Sequence, residues 1–438
     1  MNLSDIYIER MAIGGNGVGR IDGKVCFVPF SVTGDRLKVR ISKESRSYCE
    51  AELVELHESS NLRVNPLCPA FGICGGCNWQ HIEYSTQCNI KQELLTATLQ
   101  RMGGISAPNV PKTAPSANQY SYRARAQFKL HSTESGLAIG FFRRGSHYVI
   151  DLPDGCPVVR PAINRAMQQL RQILQNLPDR DRIPQLTIEE GISGVVAIVH
   201  YIGSDRKGII RQLQKEKGRL PLAGLFLQTS RKESILPVFG DGELKFSVPL
   251  CADSARSMNL GYRIGGFSQI NREQNSVMAT LVCSYARPEA SHRLLDLYCG
   301  NGNLSLPMSE KVQELLAVEE FAPSIASAVD NARQHHVNNS TFKCNDVVSE
   351  VRQLVTQKAR FDTILLDPPR TGAVEAVRSV GELGAKKIVY VSCDPATMAR
   401  DIMILCKSGN YRMIEATPLD MFPQTAHIET VALLSKSY

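Results

Sequence analysis

The chain of 438 residues is long enough for two or three domains, each with its own core. Hydrophobic residues make up 43% of it, which excludes a disordered chain, and no apolar run reaches the ~18 residues of a membrane-spanning helix. The net charge of +7 is compatible with a nucleic-acid partner but does not require one. The first residues lack the pattern of a signal peptide, so we expect a cytoplasmic protein. Thirteen cysteines in such a chain favour metal binding or catalysis over a disulfide framework.

Residues 1–57 are predicted to be all-β. Glycines and polar turn residues separate short runs rich in valine, isoleucine and phenylalanine, such as KVCFVPF and RLKVRI. About five short strands in this space favour a small OB-like barrel, a shape that often binds RNA. A barrel with a purely structural role is the alternative.

A cysteine-rich loop follows, with the sequence NPLCPAFGICGGCNWQ. It contains Cys68, Cys74 and Cys77, and Cys156 is a distant fourth candidate ligand. Thiolates so closely spaced are typical of metal sites, and four sulfurs suit either zinc or an iron–sulfur cluster. The spacing differs from the cysteine pattern of radical S-adenosylmethionine enzymes, which favours a structural or RNA-positioning role over redox catalysis. Cys88, on a helix predicted within residues 85–102, is a weaker candidate.

Residues 58–260 are predicted to form a mixed α+β domain around this loop. Strand-like patterns occur in ARAQFKL, AIGFF and VVAIVHYI. The segment YRARAQFKL carries Arg123, Arg125 and Lys129, which are cations of the kind that contact RNA phosphates. With the nearby FFRRG they can form one basic surface, and the alternative is a solvated strand face.

Residues 261–438 show a different pattern, in which five strand-like runs alternate with helical stretches. The runs are RLLDLYCG, LLAVEE, STFKCND, FDTILLDPP and KIVYVSCD, and YRMIEATPLD and HIETVALLSK follow as two more strand candidates. This alternation predicts an α/β domain with a parallel, doubly wound sheet. An added terminal hairpin is the layout of Rossmann-like, S-adenosylmethionine-dependent methyltransferases, in which ligands bind at the carboxyl ends of the strands.

The strand ends of this domain predict a nucleoside cofactor. Two glycines in CGNGN follow the first strand and allow a ligand to approach the backbone. Glu319 ends the second strand where a ribose-binding carboxylate belongs, and it is preferred to Glu320 because it follows the strand directly. Asn345 and Asp346 end the third strand and suit an adenine edge. The loop lacks the lysine of a P-loop and the third glycine of the dinucleotide motif, which favours S-adenosylmethionine.

The fifth predicted strand ends in Cys393, within KIVYVSCDPAT. A buried, inert thiol is one interpretation. The fourth strand ends in DPPR. Methyltransferases that act on the amino groups of nucleobases usually have an aromatic residue at the position of Arg370. Its absence here makes a carbon atom of the nucleobase the expected methyl acceptor. Carbon 5 of a pyrimidine becomes nucleophilic once a thiolate adds to C6, and a base must later remove the C5 proton. Cys393 is the candidate thiolate, and His427 and Glu429 are the candidate bases.

These motifs resemble those of the RNA uracil-5-methyltransferase family, which makes 5-methyluridine. DPPRTG and IVYVSCDPAT resemble its nucleophile segment, DMFPQTAHIE its base segment, and FSQIN and DLYCGNGNLSLP its cofactor segments. The resemblance implies that Cys393 is the nucleophile, that Glu429 is the base and that S-adenosylmethionine is the cofactor. The implied cofactor-binding residues are Gln269, Tyr298, Asn303, Glu319, Asp346 and Asp367. Asp394 stands where the family usually has asparagine or glutamine, and we expect this acid to raise the pKa of the thiol.

The resemblance extends to the N-terminal half. The barrel resembles the TRAM domain, an RNA-binding module, and the cysteine loop resembles that of the rRNA-type branch, which implies a 4Fe–4S cluster. We therefore expect uridine methylation in RNA, with 23S rRNA favoured over tRNA, by a monomer without membrane contact. RNA cytosine-C5 methylation is disfavoured because that family has a proline–cysteine dipeptide after the fourth strand. A non-catalytic iron–sulfur RNA-binding factor is the alternative from another class.

Overall fold

The computed structural model describes residues 3–134, 136–230, 235–408 and 410–437. The chain begins with a six-stranded sheet in the order β1-β5-β6-β4-β3-β2. Its strands are β1 (Leu3–Tyr7), β2 (Arg10–Met11), β3 (Gly17–Ile21), β4 (Lys24–Val28), β5 (Arg36–Glu44) and β6 (Tyr48–Glu58). The sequence predicted about five strands here, and the structure has one more, of which β2 is the shortest.

The N-terminal sheet curls on itself like a barrel. The backbone N of Glu9, just after β1, donates a hydrogen bond to the carbonyl oxygen of Val18 on β3 over 2.8 Å. Gly19 permits this approach, because a Cβ atom there would collide with the carbonyl oxygen of Tyr7. Inward-facing apolar side chains from the long strands fill the interior, among them Ile6, Cys26, Val28, Leu37 and Val39. The small barrel predicted from the sequence is confirmed.

The cysteine-rich loop leads into α1 (Tyr84–Arg101), the helix that the sequence predicted. A seven-stranded sheet follows, in the order β13-β12-β11-β10-β7-β8-β9. Its strands are β7 (Arg125–Thr133), β8 (Gly136–Phe142), β9 (Val149–Asp151), β10 (Gln185–Gly191), β11 (Gly194–His200), β12 (Gly224–Gln228) and β13 (Ile235–Phe239). Helices α2 (Pro161–Leu174) and α3 (Arg206–Lys215) complete this part, which is α+β as predicted.

A two-stranded hairpin and a helix connect the central sheet to the C-terminal sheet. They are β14 (Glu243–Pro249), β15 (Ser257–Arg263) and α4 (Arg272–Ala286). Cys251 and Cys283 are joined as a disulfide, with Cα atoms 5.7 Å apart, and the remaining eleven cysteines of the described chain are free. The sequence argument against a disulfide framework did not foresee this one pair.

The C-terminal sheet has seven strands in the order β18-β17-β16-β19-β20-β22-β21. Its parallel strands are β16 (Arg293–Leu297), β17 (Glu314–Glu319), β18 (Ser340–Cys344), β19 (Thr363–Leu366) and β20 (Lys387–Ser392). The antiparallel hairpin β21 (Tyr411–Leu419) and β22 (Glu429–Lys436) extends it. Helices α5 (Ala322–Gln334), α6 (Val347–Thr356), α7 (Val374–Val380) and α8 (Pro395–Ser408) connect the strands. The predicted doubly wound sheet and terminal hairpin are confirmed.

The strand order fixes where a ligand can bind. The chain runs outward from β16 to β17 and β18, then returns to the other side of β16 to form β19 and β20. This reversal opens a crevice at the carboxyl ends of β16 and β19. None of the helices in the described ranges combines the length and the apolar character that crossing a membrane requires.

Candidate functional site

The loop after β16 leaves room for a ligand beside the backbone. Gly300 has φ +55°, and a Cβ atom built there would meet nothing within 4 Å. Tyr298 also adopts a left-handed φ, +67°, which is unusual for a tyrosine. The backbone N–H groups of Tyr298 and Cys299 both donate to the carbonyl oxygen of Val318, over 2.9 and 3.1 Å. The loop is therefore held in this shape by its neighbour strand.

Glu319 ends β17 and turns toward this loop. Its Oε2 accepts a hydrogen bond from the backbone N of Gly300 over 3.2 Å, and its Oε1 accepts one from the backbone N of Phe321 over 2.9 Å. Glu320 is exposed. The sequence preference for Glu319 thus agrees with its placement at the glycine loop, while its contact with a ribose stays a prediction.

Asp346 and Tyr298 lie at the same edge of the sheet. Asp346 caps α6, since its Oδ1 accepts from the backbone N of Ser349 over 2.8 Å, and this bond lowers the pKa of the carboxyl. Burial raises the pKa of the Tyr298 hydroxyl to about 12, and the charges of Asp346, Asp401 and Glu319 add to this effect. The structure therefore brings three of the six predicted cofactor residues within electrostatic reach of one another.

Asn303 and Gln269 are the remaining predicted cofactor residues outside the strand ends. The side-chain amides of Asn303 and Asn275 exchange two hydrogen bonds of 2.8 Å, which ties the loop to α4. Gln269 is half-buried and follows Ser268, whose hydroxyl donates to the buried carboxylate of Glu189 over 2.9 Å. Both placements are compatible with a ligand in the crevice, and the cofactor contacts stay predictions.

Two acids sit on the floor of the crevice. Burial raises the pKa of Asp367 to about 7, with a further contribution from the charge of Glu319. Burial likewise raises the pKa of Asp296, on β16, to about 7. Asp296 is 1% exposed, and the nearby Ser305 side chain opposes the rise in its pKa. The sequence argument did not select Asp296, although an acid inside the buried run RLLDL is itself a signal of function.

Cys393 and Glu429 meet at the end of β20. Strand β22 runs antiparallel to β20 and pairs Thr430 with Ser392, so its first residue lies at the edge where β20 ends. Burial raises the pKa of the Cys393 thiol, the charge of Glu429 raises it further, and the hydrogen-bonding Arg370 lowers it. The structure thus brings the two predicted catalytic residues together, with Arg370 beside them.

Glu429 lies in an environment that favours its neutral form. The side chain is 4% exposed. Burial raises its pKa to about 8, the charge of Asp367 adds to this effect, and Arg370 opposes it. A carboxylate that is formed in such a place is a strong proton acceptor, as a general base for neutral pH must be.

Asp394 has a structural role that the sequence analysis did not name. Its Oδ1 accepts hydrogen bonds from the backbone N atoms of Ala396 and Thr397, both over 3.0 Å, at the start of α8. It is therefore the capping residue of that helix. The carboxylates that raise the pKa of the Cys393 thiol are those of Glu429 and Asp367. An effect of Asp394 on the thiol stays a prediction.

His427, the second candidate base, is exposed, and its ring lies 5.6 Å from that of Phe422. Desolvation lowers its pKa, and the nearby cations Arg370 and Lys91 add to this effect. The buried Glu429 directly influences the thiol, so it is the better placed of the two candidates.

The four cysteines of the predicted metal site line one small cavity of about 40 Å³, together with Arg123 and apolar side chains. Burial raises the pKa of Cys77 to about 11 and that of Cys156 to about 12, and the neighbouring thiols contribute. In the described ranges, no group of three or more histidine, cysteine or acidic side chains is positioned to hold a metal ion. The structure thus shows a shared cavity and does not confirm a cluster.

The three cations predicted to contact RNA all have protein neighbours. Arg125 lies 3.7 Å from the buried carboxylate of Glu189 and donates to the carbonyl oxygen of Gly266 over 2.8 Å. Lys129 donates to Gln185 and lies 5.4 Å above the ring of Phe142. Arg123 lines the cysteine cavity. All three side chains are half-buried, and their contact with phosphates stays a prediction.

A groove of about 1260 Å³ separates the N-terminal barrel from the cysteine-rich loop and the turn after β8. Aromatic rings and cations both line it, among them Phe27, Phe30, Phe71, Arg63, Arg143 and Arg144. The guanidinium of Arg144 lies 4.9 Å from the centre of the Phe30 ring. Aromatic faces beside guanidinium groups are features of single-strand nucleic-acid sites.

The doubly wound sheet, the glycine loop and the acids at the strand ends define a Rossmann-like methyltransferase. Residues 83–437 match the family model described as tRNA (Uracil-5-)-methyltransferase, and residues 4–54 match that of the TRAM domain. The chain therefore belongs to the tRNA (uracil-5-)-methyltransferase family. Its enzyme class is S-adenosylmethionine-dependent RNA (uracil-5-)-methyltransferase, which confirms the resemblance seen in the sequence.

Curated relatives match over almost the whole chain. The 23S rRNA (uracil(1939)-C(5))-methyltransferase RlmD of Pseudomonas fluorescens is 33% identical over 438 residues, covering 99% of this chain and 94% of that protein. The protein of the same name from Thiobacillus denitrificans is 32% identical and covers 96% and 97%. The solved tRNA (uracil-54, C5)-methyltransferase of Pyrococcus abyssi, in complex with S-adenosyl-L-homocysteine, shares the fold. Its TM-score is 0.75 at 23% identity, over 98% of this chain and 100% of that one.

Proposed function

We propose that this protein methylates C5 of a uridine in 23S rRNA through a covalent adduct between Cys393 and C6 of the base. The proposal rests on one observation above all. The Cys393 thiol lies close to the buried Glu429 carboxyl, beside the cofactor crevice. A methyltransferase that only positions its substrate needs neither group. Relatives with the RlmD name support 23S rRNA as the substrate.

The crevice suits S-adenosylmethionine, because Gly300 faces open space and Glu319 stands beside it at the strand end. When bound, this cofactor supplies a methyl group on a positively charged sulfur. We propose that Glu319 accepts hydrogen bonds from the ribose and that Asp346 lies at the adenine edge. Gln269, Tyr298, Asn303 and Asp367 form the remainder of the proposed binding site.

The proposed reaction proceeds in three steps at the uracil ring. The Cys393 thiolate forms a bond to C6, and the electron pair of the C5=C6 bond moves toward C5 and O4. C5 then takes the methyl group, and the bond between that methyl and the cofactor's sulfur breaks. Glu429 finally takes the C5 proton, the C–H electron pair restores the C5=C6 bond, and the thiolate leaves C6.

Arg370 and the neighbouring acidic side chains influence which groups of the site are protonated during the reaction. Burial raises the pKa of both groups, so the Cys393 thiol and the Glu429 carboxyl each release a proton to water before the thiolate adds and the carboxylate acts as the base. Arg370 opposes this rise in pKa by favouring the negative form of both groups. Placed beside Cys393, Arg370 stabilises the thiolate both before addition and after elimination.

The cysteine cavity is the proposed site of a 4Fe–4S cluster held by Cys68, Cys74, Cys77 and Cys156. Four thiols and apolar walls suit such a cluster. In a four-iron cluster each thiolate binds a different iron atom. The four sulfur atoms therefore stand farther apart than four sulfur atoms that all bind one zinc ion, each at about 2.3 Å from the metal. A site built for a cluster therefore need not have single-ion geometry. We assign the cluster a structural role.

The RNA is proposed to enter along the groove beside the barrel and to flip its uridine into the crevice. Rings such as Phe30 offer stacking surfaces for unpaired bases, and Arg143 and Arg144 offer phosphate contacts. Arg123, Arg125 and Lys129 extend this basic surface in the proposal, although each also contacts the protein. We propose that the protein acts in the cytoplasm as a monomer.

The decisive experiment incubates purified protein and labelled S-adenosylmethionine with a 23S rRNA fragment and with tRNA. We expect 5-methyluridine in the rRNA fragment and none with Cys393→Ala, which should still bind RNA and cofactor. An RNA carrying 5-fluorouridine should trap the unmodified enzyme as a denaturant-stable adduct, because fluorine cannot leave as a proton does. Full methylation by Cys393→Ala would refute the covalent mechanism, and product in tRNA alone would refute the rRNA assignment.

A further inference from the structure

The segment that leads into Glu429 is held by residues from the other end of the chain. Residues 420–428, here called the base loop, connect β21 to β22. Its central residue is Gln424, whose carbonyl oxygen accepts hydrogen bonds from the backbone N atoms of Asn78 and Trp79 over 3.2 and 3.0 Å. These two residues directly follow Cys77 of the cysteine-rich loop. The base loop is thus joined to the cysteine-rich loop.

A reciprocal amide pair strengthens this junction. The Nε2 of Gln87, on α1, donates to Oε1 of Gln424 over 3.0 Å, and the backbone N of Gln424 donates to Oε1 of Gln87 over 3.0 Å. The two residues are 0% and 2% exposed. Buried amides that lose such partners are left unsatisfied, so the pair strongly favours one arrangement.

Gln424 is also held in an unfavourable backbone conformation, with φ +69°. A left-handed glutamine costs about 1–3 kcal/mol and persists only where its surroundings determine it fully. Here four hydrogen bonds do so, two to its carbonyl oxygen, one to its backbone N and one to its side chain. Strain of this kind concentrates where a protein must aim a functional group.

The rest of the base loop is fixed as well. At its start, Lys91 and Asp420 form an ion pair of 2.5 Å in which both side chains are 0% exposed. Beyond Gln424, the backbone N of Ala426 donates to Oδ1 of Asn78 over 3.0 Å. Ile428, the residue before Glu429, packs in one cluster with Trp79. The chain therefore enters Glu429 from a loop that is anchored at three points.

We propose that Gln424 is a positioning residue, which together with Gln87 and the Asn78–Trp79 backbone aims Glu429 at the C5 proton. This inference rests on the proposed function, in which Glu429 is the base. In that step the C5–H bond breaks and its proton passes to the Glu429 carboxylate. The C–H electron pair forms the C5=C6 bond, and the C6–S bond breaks to return the Cys393 thiolate. Cys393 lies beyond β20, outside the base loop, so loosening that loop slows proton removal and spares addition and methyl transfer.

The test compares two glutamines on α1. Gln87→Leu removes the amide pair with Gln424, together with the hydrogen bonds that Nε2 of Gln87 donates to the carbonyl oxygens of Trp79 and Ile82 over 3.1 and 2.9 Å. Gln92→Leu is the control on the same helix, because Gln92 is half-buried and donates instead to the carbonyl oxygen of Val110 over 2.8 Å, away from the base loop. With uridine RNA, Gln87→Leu should turn over about 10–100-fold more slowly and accumulate a methylated protein–RNA adduct. With 5-fluorouridine RNA, its rate of adduct formation should stay within about twofold of the unmodified enzyme.

The two rates separate positioning from simple loss of stability. An equal fall in turnover and in adduct formation, or unchanged turnover, would overturn the proposal. Gln424→Gly provides a second variant that should fold, because glycine adopts φ +69° without strain, and the same selective loss is expected. Failure of the unmodified enzyme itself to form an adduct would instead refute the proposed function. The two failures are therefore distinguishable.

Discussion

Replacing Glu429 with glutamine should stabilise the folded protein, and should do so more strongly at higher pH. The carboxyl is 4% exposed, and its pKa is raised from 4.5 to about 8. The folded state therefore keeps a proton that the unfolded state releases, so stability is full below pH 4.5 and falls as the pH rises toward 8. Glutamine has no proton to lose and escapes this penalty.

The size of this stabilisation follows from the pH range between the two pKa values of Glu429. Each pH unit between 4.5 and 8 corresponds to about 1.4 kcal/mol, which gives about 5 kcal/mol over the window. Part of this energy belongs to the pair with Asp367, whose charge also raises the pKa of Glu429. We therefore expect Glu429→Gln to add about 2–5 kcal/mol at pH 8 and nearly nothing at pH 4.5.

Thermal unfolding at pH 5, 6, 7 and 8 measures this difference. Glu320→Gln is the matched control, because Glu320 is exposed at the end of another strand of the same sheet. The midpoint of Glu429→Gln should rise above that of the unmodified protein by several degrees at pH 8, and the gap should close toward pH 5. A gap that is constant with pH, or a destabilised variant at pH 8, would refute the argument from burial.

Two further predictions concern the cysteine cavity and the RNA surface. Protein purified without oxygen should be brown with about four irons per chain, and Cys74→Ser should lose the metal. Stoichiometric zinc without iron would contradict this. Lys129→Ala should reduce the salt dependence of RNA binding by about one unit of slope. Arg125→Ala should in addition lower the unfolding midpoint, because it leaves the buried Glu189 without one of its cations.

The strand ends could be predicted because parallel strands share an edge. Glu319, Asp367 and Cys393 each follow an apolar run in the sequence, and the alternation of strands and helices brings the ends of these runs together. No knowledge of side-chain contacts was needed for this step. The base segment was instead identified by its resemblance to the family's base motif.

The capping role of Asp394 was not predicted, although the sequence contained the signal for it. An aspartate followed by a proline and then by helix-forming residues is typical of a helix start, with the acid as cap and the proline in the first turn. The sequence DPAT at residues 394–397 has this pattern. Proximity in sequence to Cys393 was given more weight than this local geometry.

The contacts that anchor the base loop could not be predicted from the sequence. Gln87 and Gln424 are 337 positions apart, and neither lies in a periodic pattern that would indicate a buried amide pair. The same is true of Arg125 and Glu189, whose ion pair depends on the packing of β7 against β10. Such pairs depend on how the strands and helices pack against each other, and local propensity and motif spacing do not predict this packing.

The terminal hairpin explains how this sheet places the proposed base beside the proposed nucleophile. Were β22 parallel to β20, its last residues rather than Glu429 would lie at the edge where β20 ends. The antiparallel direction pairs Thr430 with Ser392 and thereby places Glu429 next to Cys393. A slip of one residue would turn Glu429 to the opposite face of the sheet, because side chains alternate along a strand. The register of one hairpin therefore decides whether the proposed elimination step has its base, and the base loop that precedes β22 is anchored where that register begins.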